Sequence, residues 1–218
     1  MGVRFDLLVF DWDGTVVDSA GHIVDSIQAA CRDLGLTSPS DDDARHIIGL
    51  GMQDALSYLL PGLRPADYPR LAERYRFHYL AGDHKISLFA GAREGIEQLH
   101  RAGFLLGVAT GKSRRGLDRA LDDSGLRPYF HASRCADEGF AKPHPEMLQV
   151  LMGQFDVKPE RTLMIGDTSH DLEMARAAGV PALAVAYGAH PEHKLRPLAP
   201  EACVPTFAKV MEWLRNNA

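Results

Sequence analysis

Cysteine is scarce in this chain: Cys31, Cys135 and Cys203 are the only three, far apart and in no C-x-x-C pair. An odd, scattered set excludes a disulfide framework and fits inert thiols in a reducing compartment. Long apolar runs are missing too, since no stretch approaches the roughly 20 residues that span a bilayer. The N-terminal run from Leu7 to Phe10 is broken by Asp11, too early for a signal peptide, and Asp6 stands where a myristoylation signal carries Ser or Thr. A cytoplasmic protein with no membrane partner is expected. Basic charge is not in excess, with 24 Lys and Arg against 29 Asp and Glu and a net charge of -5. That balance argues against a nucleic-acid partner, whose phosphates call for a basic face. Nor is there a low-complexity tract or a fixed-period repeat, which excludes disordered and solenoid architectures.

What remains is ordinary globular composition, 45% hydrophobic and 24% charged over 218 residues, enough for one core plus a modest insertion. Short apolar runs at 5–10, 104–109, 162–165 and 182–185 read as strands buried on both faces, hence a parallel sheet. Helical patterns lie between them. In "AREGIEQLHRAG", Ile96, Leu99 and Ala102 share a face and Gly103 is a stop signal. This alternation predicts an α/β fold, a Rossmann-like doubly wound parallel sheet. Residues 16–84 differ, with helical spacing at Ile23, Ile27, Ala30, Cys31 and Leu34, then Met52, Ala55, Leu56 and Leu59, and no convincing strand. Prolines 39, 61, 65 and 69 divide that stretch into roughly four helices. The expected organisation is a catalytic core of residues 1–15 and 85–218 with an inserted α-helical cap domain at 16–84.

Ligands of open α/β sheets bind at the carboxyl ends of the strands, and polar groups follow the apolar runs directly: Asp11 after "LLVF", Thr110 after "LLGVA", Asp167 after "LMIG". Residues i and i+2 of an extended segment face the same way, so Asp11 and Asp13 can share one site while Trp12 turns aside. Two close carboxylates need a shared proton or a cation. Asp167 and Asp171 in "GDTSHD" favour the cation, and an all-oxygen donor set favours Mg2+. A phosphate approaching a carboxylate nucleophile also needs donors and positive charge. Thr110 with Gly111 in "TGKS", and Lys142 in "AKPHPEM", supply them. Together these residues point to phosphoryl transfer through an aspartyl-phosphate.

The segments "DWDGTVVDS", "VATGKS", "AKPHPEM" and "IGDTSHDLEMA", in that order, resemble the four motifs of the haloacid dehalogenase superfamily of phosphohydrolases, over residues 6 to about 188. The resemblance implies Asp11 as nucleophile and Asp13 as general acid and base. It implies Thr110, Gly111 and Lys142 as phosphate ligands, and a metal held by Asp11, Asp167 and the backbone carbonyl of Asp13, with Asp171 in support behind them. The helical insertion resembles the cap of the branch that holds phosphoglycolate phosphatases and β-phosphoglucomutases. True dehalogenases lack the second aspartate, and phosphonoacetaldehyde hydrolases need a cap lysine that residues 16–84 do not contain. The expected activity is a Mg-dependent phosphatase acting on a small phosphorylated metabolite, phosphoglycolate by preference, as a monomer or homodimer. Alternatives are a phosphomutase of the β-phosphoglucomutase type and a non-catalytic phosphate-binding regulatory protein.

Other features have plainer readings. "TGKS" imitates a P-loop, but Leu106 stands where that motif needs glycine. "GLGMQD" reads as a turn between cap helices that faces the substrate. Arg45, His46 and Gly49 are the cap residues nominated for substrate specificity. His190 and His193 lack the partners of a zinc site and read as a solvated loop. "YPRLAERYRFHYL" reads as the buried face of a cap helix, and Phe207, Val210, Met211 and Leu214 as the inward face of a closing helix.

Overall fold

The computed structural model describes residues 4–83 and 86–218. The chain runs through β1 (Leu7–Phe10), α1 (Ala20–Asp33), α2 (Asp41–His46), α3 (Met52–Leu59), α4 (Tyr68–Gly82), α5 (Ala92–Arg101), β2 (Leu105–Thr110) and α6 (Arg114–Ser124). It continues through β3 (Ala132–Cys135), α7 (Glu146–Phe155), β4 (Thr162–Gly166), α8 (Ser169–Ala178), β5 (Ala182–Val185), α9 (Glu192–Leu195), β6 (Ala202–Val204) and α10 (Phe207–Asn217). The strands form one six-stranded parallel sheet in the order β3-β2-β1-β4-β5-β6.

Alternation along β1 divides its side chains between two layers. Leu8 and Phe10 pack with Ile96 and Leu99 of α5, Leu117 of α6 and Phe207 and Val210 of α10. Leu7 and Val9 face the other way, onto Leu148 and Leu151 of α7 and Met174 of α8. Helices thus cover both faces, which is why β1 and β4 are apolar throughout rather than alternating. Trp12 turns into the first of these layers, edge-on to Phe130.

Helices α1 to α4 have a core of their own, in which Val24, Ile27, Ala30 and Cys31 meet Ala44, Leu56 and Leu71. A second cluster of Ala20, Ile23, Ile48 and Ala189, flanked by Tyr75 and Tyr79, joins this layer to the sheet's rim. Several details depart from the sequence reading. Met52, Phe77 and Leu80 are exposed, and Leu71 is the one fully buried residue of α4 among those described. Ala102 is exposed beyond the end of α5, whose inward face is Ala92, Gly95, Ile96 and Leu99. Strands β3 ("ASRC") and β6 ("ACV") lie at the sheet edges, where one flank is open and no apolar run is required. Met1 to Val3 and the expected cap boundary at 84/85 lie outside the described residues. No helix among the described residues is long and apolar enough to cross a membrane.

The chain winds outward from β1 through β2 to β3, then returns beside β1 with β4 and winds to β6. Its switch point lies between β1 and β4, and the crevice at the carboxyl ends of these strands is where such sheets bind ligands. The register aligns Phe10 with Val108 and with Ile165, so the three strands end within two residues of one another. Asp11, Thr110 and Asp167 therefore come to a common rim.

Candidate active site

Asp11 leaves β1 with its N–H donated to the Ile165 carbonyl at 2.9 Å, which fixes its backbone beside β4. Its carboxylate is fully buried. Lys142 Nζ donates to Asp11 Oδ1 at 2.7 Å and to Asp171 Oδ1 at 2.6 Å, all three side chains being shielded from solvent. Asp11 Oδ2 has no hydrogen-bond partner among the described residues. A buried, unpartnered carboxylate oxygen is costly unless something outside the chain is to meet it.

The turn after Asp11 aims the neighbouring groups. Gly14 adopts φ +82, and a Cβ there would lie 2.2 Å from Asp167 Oδ2, so only glycine fits between the two segments. Thr15 Oγ1 donates to Asp167 Oδ1 at 2.8 Å, and the Ala189 N–H donates to Asp167 Oδ2 at 2.7 Å. Asp171 accepts from the Thr168 N–H and hydroxyl through Oδ2, forming a capping box that starts α8 while its Oδ1 holds Lys142. Asp13 has partners of its own: its Oδ1 accepts from Ser19 Oγ at 2.7 Å and lies 3.1 Å from Lys112 Nζ.

Asp11, Asp167 and Asp171 each offer a carboxylate oxygen within 4.8 Å of the others. Burial raises Asp11 well above the ordinary carboxylate range, opposed by Lys142 and reinforced by Asp171 and Asp167. Burial, then the charge of Asp171, push Asp167 up to about 7. Burial alone would lower Lys142, but the charges of Asp11 and Asp171 outweigh it and hold the ammonium above its usual range. Three carboxylates against one ammonium leave a buried negative excess. Together with the orphan oxygen of Asp11, that donor set fits a hard divalent cation. The carboxylate completing the cluster is that of Asp171, and the Asp13 side chain is not part of it.

Thr110 is fully buried at the end of β2, its hydroxyl accepting from the Lys112 N–H at 3.2 Å. Gly111 lies beneath the α2–α3 turn: a Cβ on it would sit 2.6 Å from the Leu50 carbonyl oxygen and 2.7 Å from that of Gly49. Gly49 itself, at φ +93, faces Thr168 across 3.3 Å measured from its Cβ position. The α2–α3 turn thus rests directly on the turn at Gly111. Arg45 is half-buried on α2 and makes no ion pair among the described residues.

His190 corrects the sequence reading, because it is 1% exposed rather than part of a solvated loop, while His193 is exposed. The His46 carbonyl lies 2.7 Å from His170 Nε2 and 3.2 Å from His190 Nε2, and the His46 and His190 rings stack. Since His190 Nδ1 accepts from the Ser169 N–H at 3.0 Å, its Nε2 carries the proton and donates to His46. Burial holds this ring near pKa 4, hence neutral. His46 is in this way a fastening of α2 to the core. Thr15, Ser19 and Lys112 also line the site, with contacts that chain order alone does not reveal. All three lie inside the quoted motifs, Thr15 and Ser19 in "DWDGTVVDS" and Lys112 in "VATGKS", where the P-loop look-alike hides it.

A family model described as haloacid dehalogenase-like hydrolase matches residues 8–185. "Probable phosphatase IndB" of Dickeya dadantii is 33% identical over 212 residues, covering 94% of this chain and 91% of that protein. A phosphoglycolate phosphatase of Agrobacterium fabrum is 31% identical over 210 residues, 93% of this chain and 89% of its own length. Among solved structures, a haloacid dehalogenase-like family hydrolase from Streptococcus pneumoniae superposes with a TM-score of 0.83 at 22% identity, covering 97% of this chain and 99% of that one. On these matches, the chain belongs to the haloacid dehalogenase-like hydrolases.

Proposed function

We propose that this enzyme is a cytoplasmic, magnesium-dependent phosphatase of small phosphorylated metabolites, with phosphoglycolate as the favoured substrate, working through a phospho-Asp11 intermediate. The observation that carries the reading is the unpartnered, buried Oδ2 of Asp11 beside a lysine and a cluster of carboxylates. Asp11 and Asp167, with the Asp13 carbonyl, would hold Mg2+, which when bound offsets the charge of the carboxylates and the phosphoryl oxygens.

Asp11 Oδ2 attacks phosphorus, forming the aspartyl-phosphate as the bond from phosphorus to the ester oxygen breaks. Asp13 gives its proton to that departing oxygen, then takes one from the water that hydrolyses the intermediate and regenerates Asp11. Thr110 donates to the phosphoryl group, and Lys142 keeps Asp11 oriented and shares the charge. Residues 16–84 serve as a cap on the core of 1–15 and 85–218, opening to admit substrate and closing to exclude bulk water. The seating of Gly49 and Leu50 on Gly111 supports this division, and it favours a substrate with little bulk beyond its phosphate.

The test is phosphate release from a panel of small esters, with and without magnesium, by wild type and Asp11→Asn. Magnesium-dependent release by wild type, with loss of turnover in the variant, is expected. Retained turnover in Asp11→Asn would remove the nucleophile from the scheme.

A further inference from the structure

A second, largely shielded lysine stands on the leaving-group side of the site, and the phosphoryl-transfer scheme gives it no work. Lys112 is pinned at its backbone, its N–H on Thr110 Oγ1 at 3.2 Å and its carbonyl accepting from the Ala136 N–H at 3.0 Å. Its side chain is 12% exposed. The ammonium lies 3.1 Å from Asp13 Oδ1, donates to Tyr79 Oη of α4 at 2.8 Å, and sits 4.6 Å from the centre of the Tyr79 ring. Burying such a charge is costly, and one carboxylate partner offsets that cost incompletely.

Three facts point to a further anion. An ammonium has three N–H donors; Tyr79 accepts one, and Asp13 Oδ1 lies at ion-pair distance. Orientation of Asp13 does not require the lysine, since Ser19 Oγ already donates to the same Oδ1 at 2.7 Å. The phosphoryl end has its own cation in Lys142, which touches Asp11 and not Asp13.

We propose that Lys112 is the specificity-determining residue, receiving a carboxylate attached to the carbon that bears the esterified oxygen; the substrates are then phosphate esters of short α-hydroxy acids. This rests on the phosphatase reading above. Asp13 Oδ1 is occupied, so Oδ2 is left to address the ester oxygen, and Lys112 stands against the other oxygen of the same carboxylate. A group gripped by Lys112 must therefore branch from the carbon next to the ester oxygen. Tyr79 on the ammonium and the cap turn on Gly111 leave little space for longer chains.

The test compares phosphoglycolate with ethyl phosphate, which share a two-carbon skeleton and differ in carboxylate against methyl, on wild type, Lys112→Met and Lys112→Arg. Wild type should prefer phosphoglycolate. In Lys112→Met the ratio of the two kcat/KM values should fall about 10- to 100-fold, the range of a lost charge-assisted hydrogen bond, chiefly through KM, and Lys112→Arg should restore part of it. Equal losses on both esters would make Lys112 a positioning residue for Asp13 and overturn the proposal, as would a wild-type ratio near one. A binding arm is independent of turnover: calorimetry with 3-phosphonopropionate and propylphosphonate should show wild type favouring the carboxylated compound and Lys112→Met not. If Asp11→Asn kept its turnover, the nucleophile assignment would fall while this difference in binding still decided the role of Lys112.

Discussion

Replacing Asp167 by Asn should stabilise the metal-free protein at neutral to alkaline pH, although it removes a residue of the proposed metal site. Both hydrogen bonds of the carboxylate have amide equivalents: the Asn oxygen accepts from the Ala189 N–H, and its NH2 donates to the Thr15 hydroxyl, which rotates to accept. What changes is charge. Burial and Asp171 raise Asp167 from an ordinary 3.8 to about 7, and each tenfold change in proton affinity is worth about 1.4 kcal/mol, so ionised Asp167 costs the folded chain about 4 kcal/mol.

The folded-state value lies above the unfolded one, so the folded chain binds the proton more tightly and wild-type stability declines as pH rises from about 4 to about 7. Below pH 4 both states are protonated and the term vanishes; above 7 it is fully present. Asn carries no such dependence. In chelator, Asp167→Asn should therefore exceed wild type by up to about 4 kcal/mol at pH 8, roughly 10 °C in Tm for a chain of this length, and by under about 1 kcal/mol at pH 4.5. Thermal and urea unfolding at both pH values measure this. Magnesium at about a hundred times its Kd should then raise wild type by about 2.7 kcal/mol and the variant by much less. A variant no more stable than wild type at pH 8, or a gap that does not grow between pH 4.5 and 8, would refute the buried-charge account.

Further outcomes follow from the same contacts. Asp13→Asn should lower turnover by about 10²- to 10⁴-fold, the usual size of a lost acid–base group, while competitive binding of inorganic phosphate changes little; near-normal turnover would exclude the proton-transfer role. Lys142→Met leaves the Asp11 and Asp171 carboxylates buried without their ammonium, a change that costs about 3–5 kcal/mol in such pairs. Chemical denaturation in chelator at pH 8 checks it, and a loss below about 1 kcal/mol would show that the pair is not dry. Gly111→Ala would drive a methyl to within 2.7 Å of the Gly49 and Leu50 backbone, so the cap turn must lift. A lower kcat/KM with fold retained by circular dichroism is the expected result, and unchanged kinetics would show that the turn does not rest there during catalysis.

Much of the architecture is legible before folding because it rests on local pattern. The apolar runs of β1, β2, β4 and β5 are buried on both faces, and that requirement is written into consecutive residues. Edge strands β3 and β6 are not legible in this way, since their pairing is supplied by a neighbouring strand already in place. The face of α4 misleads for a related reason. Its aromatic spacing fits a buried stripe, yet α1 covers only part of it and leaves Phe77 57% exposed.

At the site, the sequence by itself determined which groups stand at strand ends: Asp11, Thr110 and Asp167, with Asp13 two residues on and Lys142 ahead of α7. Chain order and the period of an extended strand suffice for that. Tertiary structure alone decided their partners. That Lys142 bridges Asp11 and Asp171, that His46 is fastened by His170 and His190, and that Lys112 meets both Asp13 and a tyrosine of α4 depend on segments up to 144 residues apart being packed together. Which partner a buried charge or polar group finds is set by burial and distance, and neither exists until the sheet, its helices and the cap have closed around it.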